Sequence, residues 1–134
     1  MKERMSEEQL HLEDAKKLYR KAVEEFEIAR EKNDRIFLCD ACAKGWLSVI
    51  EATYALVLKK GVKEEELHRT DWGRRYMVHR YAEKELELYY FSLRDNLHIE
   101  CYYERSLDFD EVQIRLNDLK YYIEKIEELE EVRE

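Results

Sequence analysis

The chain contains no proline and only three glycines among its 134 residues. Proline and glycine are the residues that most strongly interrupt an α-helix, so little in this chain ends a helix once it has begun. Charged residues make up 42% of the sequence and hydrophobic residues 45%, a mixture that suits helices with one charged face and one apolar face. We therefore expect an all-α protein, and the length fits a single domain over residues 1–134.

Four stretches of the chain place apolar residues alternately three and four positions apart, which is the spacing of a stripe along one side of a helix. The stripes are Leu12, Ala15, Tyr19, Ala22, Phe26 and Ala29; Ile36, Cys39, Ala43, Trp46, Ile50, Thr53 and Val57; Trp72, Tyr76, His79, Ala82, Leu86, Tyr90, Leu93 and Leu97; and Phe109, Val112, Leu116, Leu119, Ile123 and Ile126. Four such helices bury their stripes by packing around one core. We expect an antiparallel up-and-down four-helix bundle.

Capping residues precede each stretch, and the connections are short. The candidate caps are Ser6 with Gln9, Asn33 or Asp34, Thr70 or Asp71, and Asp108 with Glu111. The second helix should end at Gly61, a polar connection should cover residues 62–70, and the last helix should fray into an acidic tail over residues 127–134. Between Ile36 and Leu58 only three side chains are charged, so we expect the second helix to be the central one.

The sequence also favours a cytoplasmic location. No apolar run approaches the roughly 20 residues of a membrane span, and the N-terminal residues lack the apolar stretch of a signal peptide. Three cysteines, Cys39, Cys42 and Cys101, are an odd number, so we expect reduced thiols and no disulfide. Cys39 and Cys42 have the spacing of a zinc or redox pair, but without a second pair we interpret them as buried thiols, and we expect no metal or other cofactor.

Gly45 lies within the second helix, where glycine costs about 1 kcal/mol relative to alanine. We expect it to permit the close approach of another backbone, and a ligand contact is the alternative.

Arg94 and His98 form the first candidate site. They are four residues apart and lie on one face of a helix, where a guanidinium and an imidazole could act on the same phosphate. In metal-free RNA cleavage His98 would move the proton of the 2′-hydroxyl, and Arg94 would offset the charge that develops on the phosphorane. Two copies across a dimer axis would supply a full acid and base set. The alternative is that the arginine is a surface ion partner.

A second candidate site lies at the start of the third helix, where Arg74, Arg75 and His79 belong to a cluster of basic residues. Exposed backbone N–H groups at a helix N-terminus also favour a phosphate there. The alternative for His79 is a hydrogen-bonded histidine in the core. Tyr102 and Tyr103 form one of three tyrosine doublets, and one ring of each doublet could enter the core while the other enters an interface. This surplus of tyrosine favours a homodimer.

The chain resembles the HEPN-like superfamily of small prokaryotic helical bundles along nearly its whole length. The similarity lies in Phe26 to Arg30 at the end of a long first helix, in the run from Ala41 to Trp46, and in Arg94-Asp95 with His98 before the final helix. Active members of that superfamily are ribonucleases, including toxins, that carry an arginine, a polar residue and then a histidine. Other members are partners of minimal nucleotidyltransferases, and some have no implied activity.

The resemblance and the charge lead to three hypotheses. We favour a non-catalytic homodimeric module that binds a protein, such as a nucleotidyltransferase or an antitoxin, or a nucleotide-bearing ligand such as RNA. The alternative is a metal-independent ribonuclease of the toxin type, and a third is a purely structural oligomer. The formal net charge of −8 opposes non-specific binding to nucleic acid over the surface as a whole, although a local basic patch could still bind a phosphate.

Overall fold

The computed structural model describes residues 5–130, and every regular element within them is helical. Five α-helices follow one another along the chain: α1 Glu7–Lys32, α2 Arg35–Lys59, α3 Asp71–Tyr81, α4 Lys84–Leu93 and α5 Phe109–Glu128. A 3₁₀ turn, Glu64–Glu66, lies between α2 and α3, and a π-helical segment, Arg94–Tyr103, continues directly from α4. The protein is therefore all-α, as predicted.

The predicted caps begin the helices at the expected places. Ser6 accepts a hydrogen bond from the backbone N–H of Gln9, whose side chain accepts one from the backbone of Ser6. Asp108 caps α5 with the same reciprocal pair of hydrogen bonds, and Asp34 and Thr70 each accept one backbone N–H at the start of α2 and α3. Since each cap satisfies N–H groups that the helix itself leaves unpaired, these short signals fix the helix starts. α5 ends at Glu128, and residues 131–134 of the predicted acidic tail lie outside the described residues.

The central position predicted for the second helix is confirmed. α2 contacts α1, α3, α4, α5 and the π-helical segment, and every residue from Ala52 to Val57 is buried. By length and composition α2 could span a membrane, contrary to our expectation, but 67% of its apolar window is buried inside the domain. Gly45 packs against side chains, since an added Cβ would lie 3.3 Å from Leu97 and 3.5 Å from Leu116.

The third predicted helix is two helices. The chain is extended at Ala82, with φ −82° and ψ 146°, and α4 begins two residues later. This break rotates the apolar stripe: α3 buries Gly73, Met77 and Val78, whereas α4 buries Leu86, Tyr90 and Leu93. The predicted burial of the stripe was right for its second half, on α4 and beyond, and wrong for its first half, on α3. Trp72 is 65% exposed, Tyr76 is exposed, and His79 lies outside the core.

The structure contains a disulfide that the sequence analysis did not expect. The sulfurs of Cys42 on α2 and Cys101 on the π-helical segment are 2.08 Å apart, and the two Cα atoms are 6.2 Å apart. Cys39 is free and buried, and its thiol donates to the carbonyl of Cys101 at 3.4 Å. An odd cysteine count does not exclude a pair that the fold brings within bonding distance, and that distance is invisible in the sequence.

Candidate functional site

The first candidate pair, Arg94 and His98, lies on the π-helical segment, which is a rare conformation often found at functional sites. The segment is closed by i to i−5 hydrogen bonding, as between the N–H of Glu104 and the carbonyl of Ile99 at 2.8 Å. It packs against α2, α4 and α5, and the disulfide ties its last turn to α2. The backbone that carries Arg94 and His98 is thereby held in place.

Arg94 makes a bidentate ion pair with Asp71, the first residue of α3. Its Nε and Nη2 atoms each donate to one oxygen of that carboxylate at 2.8 Å. Arg75 donates to the same carboxylate at 3.1 Å. The hydrogen bonds from Arg94 hold the pKa of Asp71 below its usual range, although burial opposes this effect. Asp71, which we considered only as a helix cap, therefore joins the two predicted sites.

His98 is held between aromatic rings. Its ring stacks on Trp46 with a centroid distance of 5.2 Å and an interplanar angle of 15°, and Tyr102 lies nearly parallel to it at 6.3 Å. The edge of Tyr103 approaches from the side at 5.6 Å. Burial, together with the positive charge of Arg94, lowers the pKa of His98 below 6.5. Both effects favour the neutral form of the imidazole.

Arg74 points toward the same region as Arg94. Its Nη1 atom donates to the hydroxyl of Tyr54 at 3.4 Å and to the carbonyl of Arg69 at 2.9 Å. The Nε atom of Arg74 and the hydroxyl of Tyr90 are both buried. Burial raises the pKa of Tyr90 to about 12, and the charge of Arg74 and its hydrogen bonding to Tyr90 oppose this rise. Arg74 and Tyr90 are thus neighbours in the buried part of this region.

His79 lies outside the core. Its side chain is 79% exposed and lies 2.7 Å from a carboxylate oxygen of Glu87 on α4, so the alternative of a core histidine is wrong. The break at Ala82 explains this placement, because it brings α4 beside the end of α3.

The outer surface of α3 combines exposed aromatic rings with positive charge. Trp72 and Tyr76 stack at 5.8 Å with an interplanar angle of 4°, and His68 packs edge-on against Tyr76 at 5.9 Å. Beside them is a cavity of about 460 Å³. Its lining residues are Lys60, Gly61, Val62, Glu66, His68, Tyr76, Met77, Arg80 and Tyr81. We call Trp72, Tyr76 and this cavity, with Arg75 and Arg80, the α3 surface.

Trp72 and Tyr76 were predicted to lie in a buried apolar stripe, so this exposed surface was not expected. A signal was nevertheless present. The helical spacing also allows a second apolar face, made by Gly73, Met77 and Val78. If that face enters the core, the rings of Trp72 and Tyr76 remain exposed. Residues 67–82 carry four arginines and a single carboxylate in a protein whose formal net charge is −8. This positive patch therefore stands out from an acidic background.

Neither a protein-family model nor a curated protein matches the chain. Within residues 5–130 there is no group of three or more histidine, cysteine, aspartate or glutamate residues placed to hold a metal ion.

Proposed function

We propose that the protein is a non-catalytic binding module that holds a nucleotide-bearing ligand on the α3 surface. The observation that carries the proposal is the exposed Trp72–Tyr76 stack beside a cavity lined by His68, Arg80 and Lys60, the last of which pairs with Glu83. Aromatic faces stack on nucleobases, and lysine and arginine side chains pair with phosphates. An acidic protein gains no general attraction for polyanions, so binding would be confined to this patch.

The orientation of Arg94 favours binding over catalysis. A guanidinium already engaged by both oxygens of Asp71 has less capacity to stabilise charge on a reacting phosphate. The ribonuclease alternative is favoured by one observation, the position of Arg94 and His98 on the same π-helical segment. Cleavage of RNA in the presence of a chelator, compared with His98→Ala and Arg94→Ala, tests that alternative directly. Cleavage that both substitutions abolish would replace our proposal with the ribonuclease.

The remaining parts of the proposal come from the sequence. We propose a member of the HEPN-like superfamily, located in the cytoplasm, that acts as a homodimer and has a nucleotidyltransferase or an antitoxin as a candidate protein partner. We also propose that its architecture is an antiparallel four-helix bundle in which α3, α4 and the π-helical segment together take the place of the third helix. Their continuity along one side of α2, with α5 following, supports this description.

Tryptophan fluorescence gives a direct test of ligand binding, because the chain has two tryptophans in opposite environments. Trp46 is 5% exposed, whereas Trp72 lies on the α3 surface. In a Trp46→Phe background the emission reports Trp72 alone. Titration with a single-stranded oligoribonucleotide, and separately with ADP, should quench this emission and should do so less strongly as salt is added.

Matched arginine variants locate the binding. Arg80→Gln and Arg75→Gln should each weaken binding, whereas Arg20→Gln, which removes an exposed arginine from α1, should leave it unchanged. Equal effects of all three substitutions would indicate attraction by overall charge and contradict a site on α3. Absence of quenching by either ligand would refute the nucleotide-binding proposal and leave protein binding to be tested.

A further inference from the structure

An apolar groove runs along the opposite side of the domain, between α1 and α2. Its floor is made by Leu18, Leu47 and Ile50, its volume is about 510 Å³, and Leu47 is 48% exposed. Leu10, two turns before Leu18 on α1, is also exposed and extends the apolar stripe. Contiguous exposed apolar surface of this kind, bordered by charged residues, is typical of a protein interaction site.

The charged border of the groove is unusual for this protein. Glu51, which also lines the groove, pairs with His11, and Lys44 pairs with Glu25. By contrast, Asp14, Lys17 and Lys21 border the groove and make no ion pair with any residue of 5–130. One negative and two positive side chains are therefore available to a partner at the edge of the apolar floor.

Their spacing matches a second copy of the same helix. Asp14 and Lys21 are seven residues apart, which is two turns and about 10 Å along one face of α1. A two-fold axis that passes midway between them, beside Leu18, places Asp14 of each copy opposite Lys21 of the other. A single axis then forms two identical ion pairs and brings the two apolar floors together, as an isologous interface requires. The same axis brings Lys17 of the two copies near each other, so the two ion pairs and the apolar contact must outweigh that repulsion.

We propose that the groove between α1 and α2 is the interface through which two copies of this chain form a dimer. This inference specifies the homodimer of the proposed function, and it does not depend on ligand binding at the α3 surface. Gly45 is no competing interface, because its neighbours are side chains of the same chain. The exposed Tyr103, on the π-helical segment, belongs to a different surface and supplies a rival interface for the test.

Sedimentation equilibrium tests the proposal through the mass of the species in solution. The parent chain should have twice its 16.5 kDa mass, and Leu47→Glu should raise the dissociation constant of the dimer about tenfold or more. Ile114→Glu, at a similarly exposed apolar residue on α5, and Tyr103→Ser should have no such effect. Circular dichroism of each variant verifies that the helices are intact.

A charge exchange tests the register. Asp14→Lys and Lys21→Asp should each weaken the dimer, because each places like charges opposite one another, and the double variant should restore it. A monomeric parent chain, a dimer unaffected by Leu47→Glu, or a dimer lost only in Tyr103→Ser would overturn the proposal. Fluorescence titration of monomeric Leu47→Glu keeps the two hypotheses separate, since ligand binding there can persist without the dimer.

Discussion

We expect the stability of this protein to fall as the pH rises through the pKa of His11. Its Nδ1 atom lies 3.3 Å from both carboxylate oxygens of Glu51 on α2, and its Nε2 atom lies 2.9 and 3.0 Å from those of Glu64 in the 3₁₀ turn. Carboxylates only accept hydrogen bonds, so both ring nitrogens must donate and His11 is an imidazolium. His11 thus joins α1 to α2 and to the connection that leads into α3.

The direction of the pH effect follows from the shift in pKa. The hydrogen bond with Glu51 raises the pKa of His11, burial opposes that rise, and the hydrogen bond with Glu64 adds to it, so the pKa lies above 6.5 in the folded protein. The folded state then binds more protons than the unfolded state between the two pKa values. The contribution of His11 to stability is complete below about pH 6.5 and is lost as the pH passes the higher, folded-state pKa.

The magnitude follows from the two hydrogen bonds. Each bond between charged groups contributes about 1.5–3 kcal/mol, and the carboxylates of Glu51 and Glu64 are 23% and 27% exposed, which favours the lower end. His11→Gln should therefore lower the free energy of unfolding by about 3 kcal/mol at low pH, or the Tm by about 10 °C. The part of this difference that disappears above the raised pKa is about 1.4 kcal/mol for each unit by which folding raises the pKa of His11.

Thermal unfolding followed by circular dichroism, from about pH 6 to about pH 9, measures this difference. Parent and variant share the other groups near this site. These are Arg69, which donates to Glu64, and Tyr54, whose ring centroid lies 5.5 Å from that of His11. The other histidines are also present in both proteins. The difference between parent and variant therefore isolates His11. A difference that stays constant across this range, or that grows with pH, would refute the imidazolium assignment.

Three further perturbations test the packing. Leu116→Ala, which truncates a fully buried side chain against Gly45, should cost about 2–5 kcal/mol in urea unfolding, and a loss below 1 kcal/mol would contradict that packing. Cys42→Ala, which removes the disulfide to Cys101 and its closed loop of 59 residues, should cost about 4 kcal/mol under oxidising conditions. If parent and variant have the same urea concentration at the midpoint of unfolding without reductant, the disulfide is absent. Tyr122→Phe, which removes a 2.7 Å hydrogen bond to Thr53, should cost about 1 kcal/mol by the same measurement, and an unchanged stability would contradict that buried bond.

The candidate site was only partly visible in the sequence. Arg94, His98 and Arg74 were recognised as residues suited to phosphate chemistry, and they do lie in one region of the structure. Asp71, which lies 23 residues from Arg94 in the chain, binds both Arg94 and Arg75 and so joins the two predicted sites. No spacing rule connects residues that meet only because α3 packs beside the π-helical segment.

The sequence by itself determined the helical class, most helix starts and the central place of α2. These features depend on local causes: side chains that cap the first turn, a periodic apolar stripe, and the absence of proline. The tertiary structure alone decided the break at Ala82, the π-helical segment and the disulfide, and it decided which of the two possible faces of α3 is buried. Each depends on how helices distant in sequence compete for the same core, and that competition overrides local preference because burial of apolar surface is the larger free energy.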